Sequence, residues 1–372
     1  MKKSIELYFF LLLLPKILFS TNTGLDFLNI PFVPKIVSMG NSGVSITDDV
    51  YAININPAGL SSVSSEQLST VYNSLYEEIY QFWTGFCYPT KKYSLGLSIN
   101  YLGMSEFQGY NAVGGKEDYV TASDSVISFT YSRYISKNKN KNFLSSGITG
   151  KYITEILDNI QSSVLACDIG FLYKTKFINY ALVIQNLGDT IKFDEVPFEL
   201  PKRCIFSINY NPKKLNLVMD IIYSPDLNPY LNLGIEYNIN NLLFLRSGYT
   251  KIGINMNDYL ESPFSCGFGI KLNKISRNIF DELKLDYSFS EINMLNYYTH
   301  RIGLVLTFHR FTEKQLTVKE INRHMKSGTD YFNNKEYNKA LLEFIKILQI
   351  DSYNLNAIDM IRKCKEKIQK IN

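Results

Sequence analysis

Side chains able to do acid–base or nucleophilic chemistry are scattered through this 372-residue sequence and do not gather at any known spacing. The three histidines, His300, His309 and His324, form neither a His-Glu-x-x-His helix motif nor a cluster with cysteine. Cys87, Cys167, Cys204, Cys266 and Cys364 are far apart and odd in number, which fits neither a disulfide framework nor a paired metal site. No glycine-rich phosphate cradle and no Gly-x-Ser-x-Gly elbow occurs. The sequence therefore predicts no enzymatic activity, no cofactor and no metal. A small, scattered net charge of +4 gives no sign of a nucleic-acid partner.

More telling are charged residues set inside otherwise alternating segments. Asp168, Glu236, Arg246, Lys271, Lys284, Asp286 and Arg301 all fall in such stretches, where an apolar sandwich core would exclude them unless paired. A hydrated, charge-lined lumen would accept them, and so would the solvent face of an ordinary antiparallel sheet. We read Asp168, Glu236, Arg246, Lys271, Asp286 and Arg301 as lumen-facing candidates.

The elements that must position these groups are strands. Tyr93-Ser94-Leu95-Gly96-Leu97-Ser98-Ile99-Asn100-Tyr101 alternates with period two, and 231–237, 283–289 and 301–308 repeat the pattern. Fourteen such segments are expected between 67 and 309, an even number with lengths near the ten residues of a tilted membrane strand. Long connections are expected after strands three (104–124), seven (188–201) and eleven (251–262), and short ones after strands two, six, eight and ten. That asymmetry suits a membrane barrel with short periplasmic turns and long outer loops. The 27 tyrosines and 24 phenylalanines fit the aromatic girdles of such a barrel. Upstream, Lys2 and Lys3 precede an apolar run from Ile5 to Leu14 that is too short to span a bilayer, which reads as an export signal over residues 1–20.

Two segments differ from the strands. Residues 21–65 carry Met39-Gly40-Asn41-Ser42-Gly43-Val44-Ser45 and Asn54-Ile55-Asn56-Pro57-Ala58-Gly59-Leu60, which predict tight, self-satisfied turns. Pro57 pushes Asn56 to extended geometry, and Gly59 is free to take a positive φ. They suit either a plug inside the lumen or a plain lead-in loop. From Leu316 the period becomes helical, with Gly328, Tyr331, Ala340 and Phe344 at positions for close packing of a helix pair, Asn333-Asn334-Lys335 at the turn, and a last helix from about Leu355 to Ile368.

Ser38-Met39-Gly40-Asn41-Ser42-Gly43-Val44-Ser45, followed by Asp48-Asp49-Val50-Tyr51-Ala52 and Asn56-Pro57-Ala58-Gly59-Leu60, resembles the N-terminal signature of PorV/PorQ-type proteins, relatives of the FadL long-chain fatty acid transporters. Leu245-Arg246-Ser247-Gly248-Tyr249 looks like a recurrent strand motif of that group. Asn41 stands where a small residue is usual, and Ile53 and Ile55 replace aromatics. The resemblance covers roughly residues 30–310. It implies an all-β transmembrane barrel of about fourteen antiparallel strands, with an N-terminal hatch built on Asn56, Pro57, Ala58 and Gly59. The tail resembles one TPR plus its capping helix.

The expected organisation is a signal peptide (1–20), a hatch or plug (21–65), an outer-membrane barrel (66–311) and a TPR-like helical extension in the periplasm (312–372). The helical tail tilts the reading toward a non-enzymatic scaffold in protein secretion or envelope assembly, with a periplasmic or secreted protein as partner. The alternative is a FadL-like channel for long-chain fatty acids or other hydrophobic molecules. Either way the barrel's outer partner is outer-membrane lipid.

Overall fold

Period-two alternation commits fourteen segments to strands in the computed structural model. It describes residues 23–76, 78–110, 113–138, 142–158, 160–193, 196–225, 227–253, 261–273, 279–292, 297–309, 313–351 and 353–369, so the expected export signal lies outside the described residues. The strands are β1 (Gln67–Ser74), β2 (Ile79–Pro89), β3 (Tyr93–Met104), β4 (Ala122–Lys137), β5 (Phe143–Leu157), β6 (Ile160–Lys174) and β7 (Ile178–Gly188). They continue with β8 (Arg203–Tyr210), β9 (Leu215–Ser224), β10 (Leu227–Ile239), β11 (Leu243–Ile252), β12 (Glu261–Asn273), β13 (Phe280–Ile292) and β14 (Tyr297–Phe308). All pair antiparallel in chain order, and β14 closes on β1 from Gln67–Thr307 to Ser74–His300. This is the expected fourteen-stranded barrel.

The two faces of the wall carry opposite chemistry. Leu97, Ile99, Ile127, Phe129, Leu165, Leu233 and Ile302 are exposed on the outside, while Ser98, Asn100, Ser128, Asn232 and Arg301 are buried within. A continuous apolar collar of this kind far exceeds what a water-soluble monomer exposes, and lipid is the solvent that suits it. Among the described residues no helix is long and apolar enough to cross a membrane.

The end of the barrel at which β1 starts has short connections throughout: 90–92, 138–142, 175–177, 211–214, 240–242 and 274–279. At the other end, lengths vary from 158–159 to the long links after β3 and β7. Those two links are not simple loops. Each holds a two-stranded ribbon, Phe107–Tyr110 with Lys116–Val120 and Ile191–Phe193 with Val196–Phe198, because alternating residues there pair locally beyond the barrel rim. The link after β11 is mostly outside the described residues.

The chain divides after His309 into two compact units. The second is three helices, α3 (Glu313–Asn333), α4 (Tyr337–Ile350) and α5 (Leu355–Gln369), packed on Ala340, Phe344, Ile347, Ala357 and Cys364. Lys335 takes φ 65° in the turn between α3 and α4. A Cβ on Gly328 would lie 2.6 Å from the Phe344 ring, so the absence of a side chain lets α4 close on α3. Tyr331 packs at the edge of this core, half-buried.

Candidate functional site

Residues 23–66 thread the lumen from one end to the other. At the long-loop end Thr23 bridges Glu199, in the link after β7, and at the opposite end the segment enters β1. Between them lie a turn at Asp26–Asn29, helical turns α1 (Pro34–Val37) and α2 (Ala52–Ile55), and a 3-10 turn at Pro57–Ser62. Asn56 is extended, with φ −151° as its place before proline requires. Its Oδ1 accepts the Ala58 N–H at 3.1 Å, and its Nδ2 donates to the Val44 carbonyl at 3.0 Å. Pro57, Ala58 and Gly59 are buried beneath it. Gly59 does not use a positive φ; its lack of a Cβ is needed because Thr47 lies directly against it. Asn41 does take the left-handed region, at φ 56°, which asparagine tolerates.

Small and polar wall residues receive this hatch. Thr149 donates to the Ile53 carbonyl at 3.2 Å, Ser145 to that of Ala58 at 3.0 Å, and Asn232 to that of Asn41 at 3.1 Å. Asp220 accepts the Gly43 N–H at 2.8 Å and also the Ser207 hydroxyl. Hatch backbone lies flat on the wall at Gly147 and Gly248, where a Cβ would overlap the carbonyl carbons of Pro57 and Met39. Trp83, fully buried, sets its ring at a tilt 5.4 Å from Tyr51 and 5.9 Å from Phe32 of the hatch, between ring centroids.

All six lumen candidates point inward, but they do not line open water. Arg246 Nε meets Glu236 Oε2 at 2.7 Å, and Nη1 meets Asp286 Oδ1 at 2.6 Å. Lys284 lies 3.4 Å from Asp286 and 3.9 Å from Asp49 of the hatch, and Asp49 also takes Lys35 at 3.2 Å. The expected hydrated lumen is thus replaced at this level by an ion network sealed under the hatch, where each charge answers another. Asp168 pairs with Lys151 at 2.6 Å, and Arg301 donates to the Pro31 carbonyl at 3.1 Å. Lys271 stands apart near the barrel end, half-buried, with Glu282 as its partner. Sequence reading missed Lys35, Asp49, Lys151, Arg203 and Asp220. Lys151, Arg203 and Asp220 carry the signal used for Asp168, a lone charge at an inward phase of a strand.

Between the N-terminal segment and β3–β8 the fit is incomplete and leaves a cavity of about 130 Å³. Leu28, Ile30, Phe32, Ile36 and Ile55 of the hatch supply its apolar side, and Lys151, Gln185 and Arg203 its polar side. The wall bulges here. Gln185 and Asn186 insert into β7 opposite Asp168, with Asn186 at φ 59° and its N–H on Asp168 Oδ1 at 2.8 Å.

No family model matches the sequence, and no curated protein matches it either. Solved structures do resemble its fold. The toluene transporter TodX of P. putida aligns with a TM-score of 0.54 at 12% identity, covering 74% of this chain and 98% of its own. The CymD monoaromatic hydrocarbon channel aligns with a TM-score of 0.50 at 13% identity, covering 75% and 98%. At such identity the likeness is one of fold.

Proposed function

We propose that this chain is a non-catalytic outer-membrane channel that lets small hydrophobic molecules pass an internal hatch. The observation that carries this reading is the partly open cavity of about 130 Å³ between hatch and wall, whose hatch side is largely apolar. A binding site for a small molecule is commonly a concave, mostly apolar space with a few placed polar groups. The fold shared with a toluene transporter and a monoaromatic hydrocarbon channel supports the same reading. Reconstitution into liposomes tests it: toluene should equilibrate faster across vesicles carrying the folded protein than across protein-free vesicles. Equal rates would overturn the channel.

A second reading has its own support. The C-terminal unit exposes Leu342 by 60%, Leu355 by 80% and Ile358 by 44%, apolar area suited to a protein partner. With the well-filled lumen and the PorV/PorQ-like motif, this favours a periplasmic tail on a secretion or assembly scaffold. Deleting residues 312–372 discriminates the two. A channel keeps its permeability, whereas a scaffold loses its co-purifying envelope protein.

A further inference from the structure

We propose that the internal cavity is an anion site, and that its ligand is a small organic anion: one carboxylate or similar oxyanion on a body no larger than a single ring, held by Arg203. The inference rests on the channel reading and narrows its substrate class.

Charge around the cavity is one-sided. Lys151 and Arg203 line it, and no aspartate or glutamate does. Lys151 is already answered, by Asp168 Oδ2 at 2.6 Å and Asn186 Oδ1 at 2.9 Å, while the other Asp168 oxygen takes the Asn186 N–H. Arg203 is not. Its Nη2 donates to Gln185 Oε1 at 2.9 Å, and among the described residues no carboxylate lies within 4.0 Å of its guanidinium. Its buried Nε–H has no acceptor there either. Gln185 is itself fixed, since its Nε2 donates to the carbonyls of Asn54 and Ile55 at 3.1 and 3.3 Å. One Nη2 donor is therefore held and Nε is buried, so the donors left on Nη1 and Nη2 remain to meet a carboxylate at the cavity. A buried donor left unmet is costly, and a cation in such a place calls for an anion.

Size limits the rest of the ligand. A cavity of about 150 Å³ accepts a benzene-sized guest. At about 130 Å³ this one suits a monocyclic or short-chain body against Phe32, Ile36 and Leu28, not a long acyl chain. Because Gln185 touches both Arg203 and the hatch carbonyls, occupancy is felt by the hatch.

The single tryptophan gives the readout, since Trp83 lies 5.9 Å from Phe32, which lines the cavity. Full-length protein in detergent is titrated with benzoate and with its neutral counterpart benzyl alcohol, following Trp83 emission, and liposome permeation of toluene is measured in parallel. Wild type should favour benzoate by about tenfold or more, the scale of a hydrogen bond to a charged group. Arg203→Gln should bind both probes alike, and Arg203→Lys should retain part of the preference, as a point charge without the fork. Heat-modifiable mobility checks that each variant is folded, and the wild-type comparison stands if Arg203→Gln fails that check. Equal affinity of wild type for the two probes, with toluene still permeating, overturns the anion site and leaves the channel. Absence of both binding and permeation overturns the channel as well.

Discussion

Replacing Arg246 with methionine tests whether the lumen is sealed. Arg246 is fully buried between Glu236 and Asp286, whose side chains are 7% and 0% exposed. Methionine fills much of the volume but removes the cation. Asp286 keeps Lys284 at 3.4 Å, and among the described residues Glu236 keeps the amide of Asn216 at 2.8 Å as its one side-chain hydrogen-bond donor. A buried carboxylate stripped of its ion partner costs about 3–5 kcal/mol, a large share of the roughly 5–15 kcal/mol that holds a domain together. The companion variant Arg246→Met/Glu236→Gln removes one charge of each sign and leaves Asp286 with Lys284. It should recover about half of that loss or more, since replacing both partners of a buried pair is often near neutral. Urea unfolding of the protein in bilayers, followed by Trp83 emission, measures both at unchanged slope. A loss below about 1 kcal/mol for the single variant, the level of an exposed pair, would show that water reaches these charges and would refute the sealed network.

Other consequences follow from the same geometry. Gly248→Val should drive Met39 and the hatch off the wall, raising liposome permeability to small solutes while the heat-shifted folded band persists; a folded variant as tight as wild type would count against the close approach. Phe344→Ala should cost the C-terminal unit about 3–5 kcal/mol and speed amide exchange across residues 313–369, and unchanged protection there would sink the packing account. The Glu343 carboxyl is held below the usual carboxylate range, first by its hydrogen bond with His324 at 2.7 Å and then by Lys346. Its stabilisation is therefore present above an ordinary glutamate pKa of about 4.3 and is lost as pH falls through the lower folded value, so amide protection factors in this unit, corrected for the intrinsic exchange rate, should fall on acidification, and Glu343→Gln should flatten that dependence.

The barrel was legible because alternation with period two is written into every strand, and β2 shows it in a single run. Tyr80, Phe82, Phe86 and Tyr88 face out, and Gln81, Trp83 and Cys87 face in. The same rule found Asp168 and Arg246 as inward charges, but it is blind to distance along the chain. Glu236, Arg246 and Asp286 meet because three strands carry them to one level, and Asp49 joins them only because the hatch folds back into the lumen. No local pattern around Asp49 announces that contact. Gly59 illustrates the opposite failure, since its neighbours suggest a turn glycine and the contact with Thr47 that excludes a Cβ comes from twelve residues upstream. The cavity is less legible still. It is a misfit between two surfaces, and a misfit has no residue pattern of its own.

Where that misfit lies bears on how a molecule could pass. On the side of β10, β11 and β13 a buried ion contact reaches the hatch, Lys284 to Asp49 at 3.9 Å, beside the wall's own Glu236–Arg246–Asp286 network. The cavity lies on the other side, against β3, β4, β5, β7 and β8, where Asn100, Ser128, Lys151, Gln185 and Arg203 face it. There the hatch is held around Asn54 by neutral hydrogen bonds, from Thr149 to Ile53 and from Gln185 to Asn54 and Ile55. Each neutral bond contributes about 0.5–1.5 kcal/mol net, whereas separating a buried ion pair costs several times that. On the channel reading proposed above, a molecule entering along β4–β8 would displace the flank held by neutral bonds, while the Lys284–Asp49 contact and the hydrogen bonds of Asp220 and Asn232 keep the rest of the hatch in register. Passage by that flank needs neither ejection of the whole plug nor a wide, water-filled pore, so permeation of a ring-sized molecule should leave the vesicles closed to larger hydrophilic solutes.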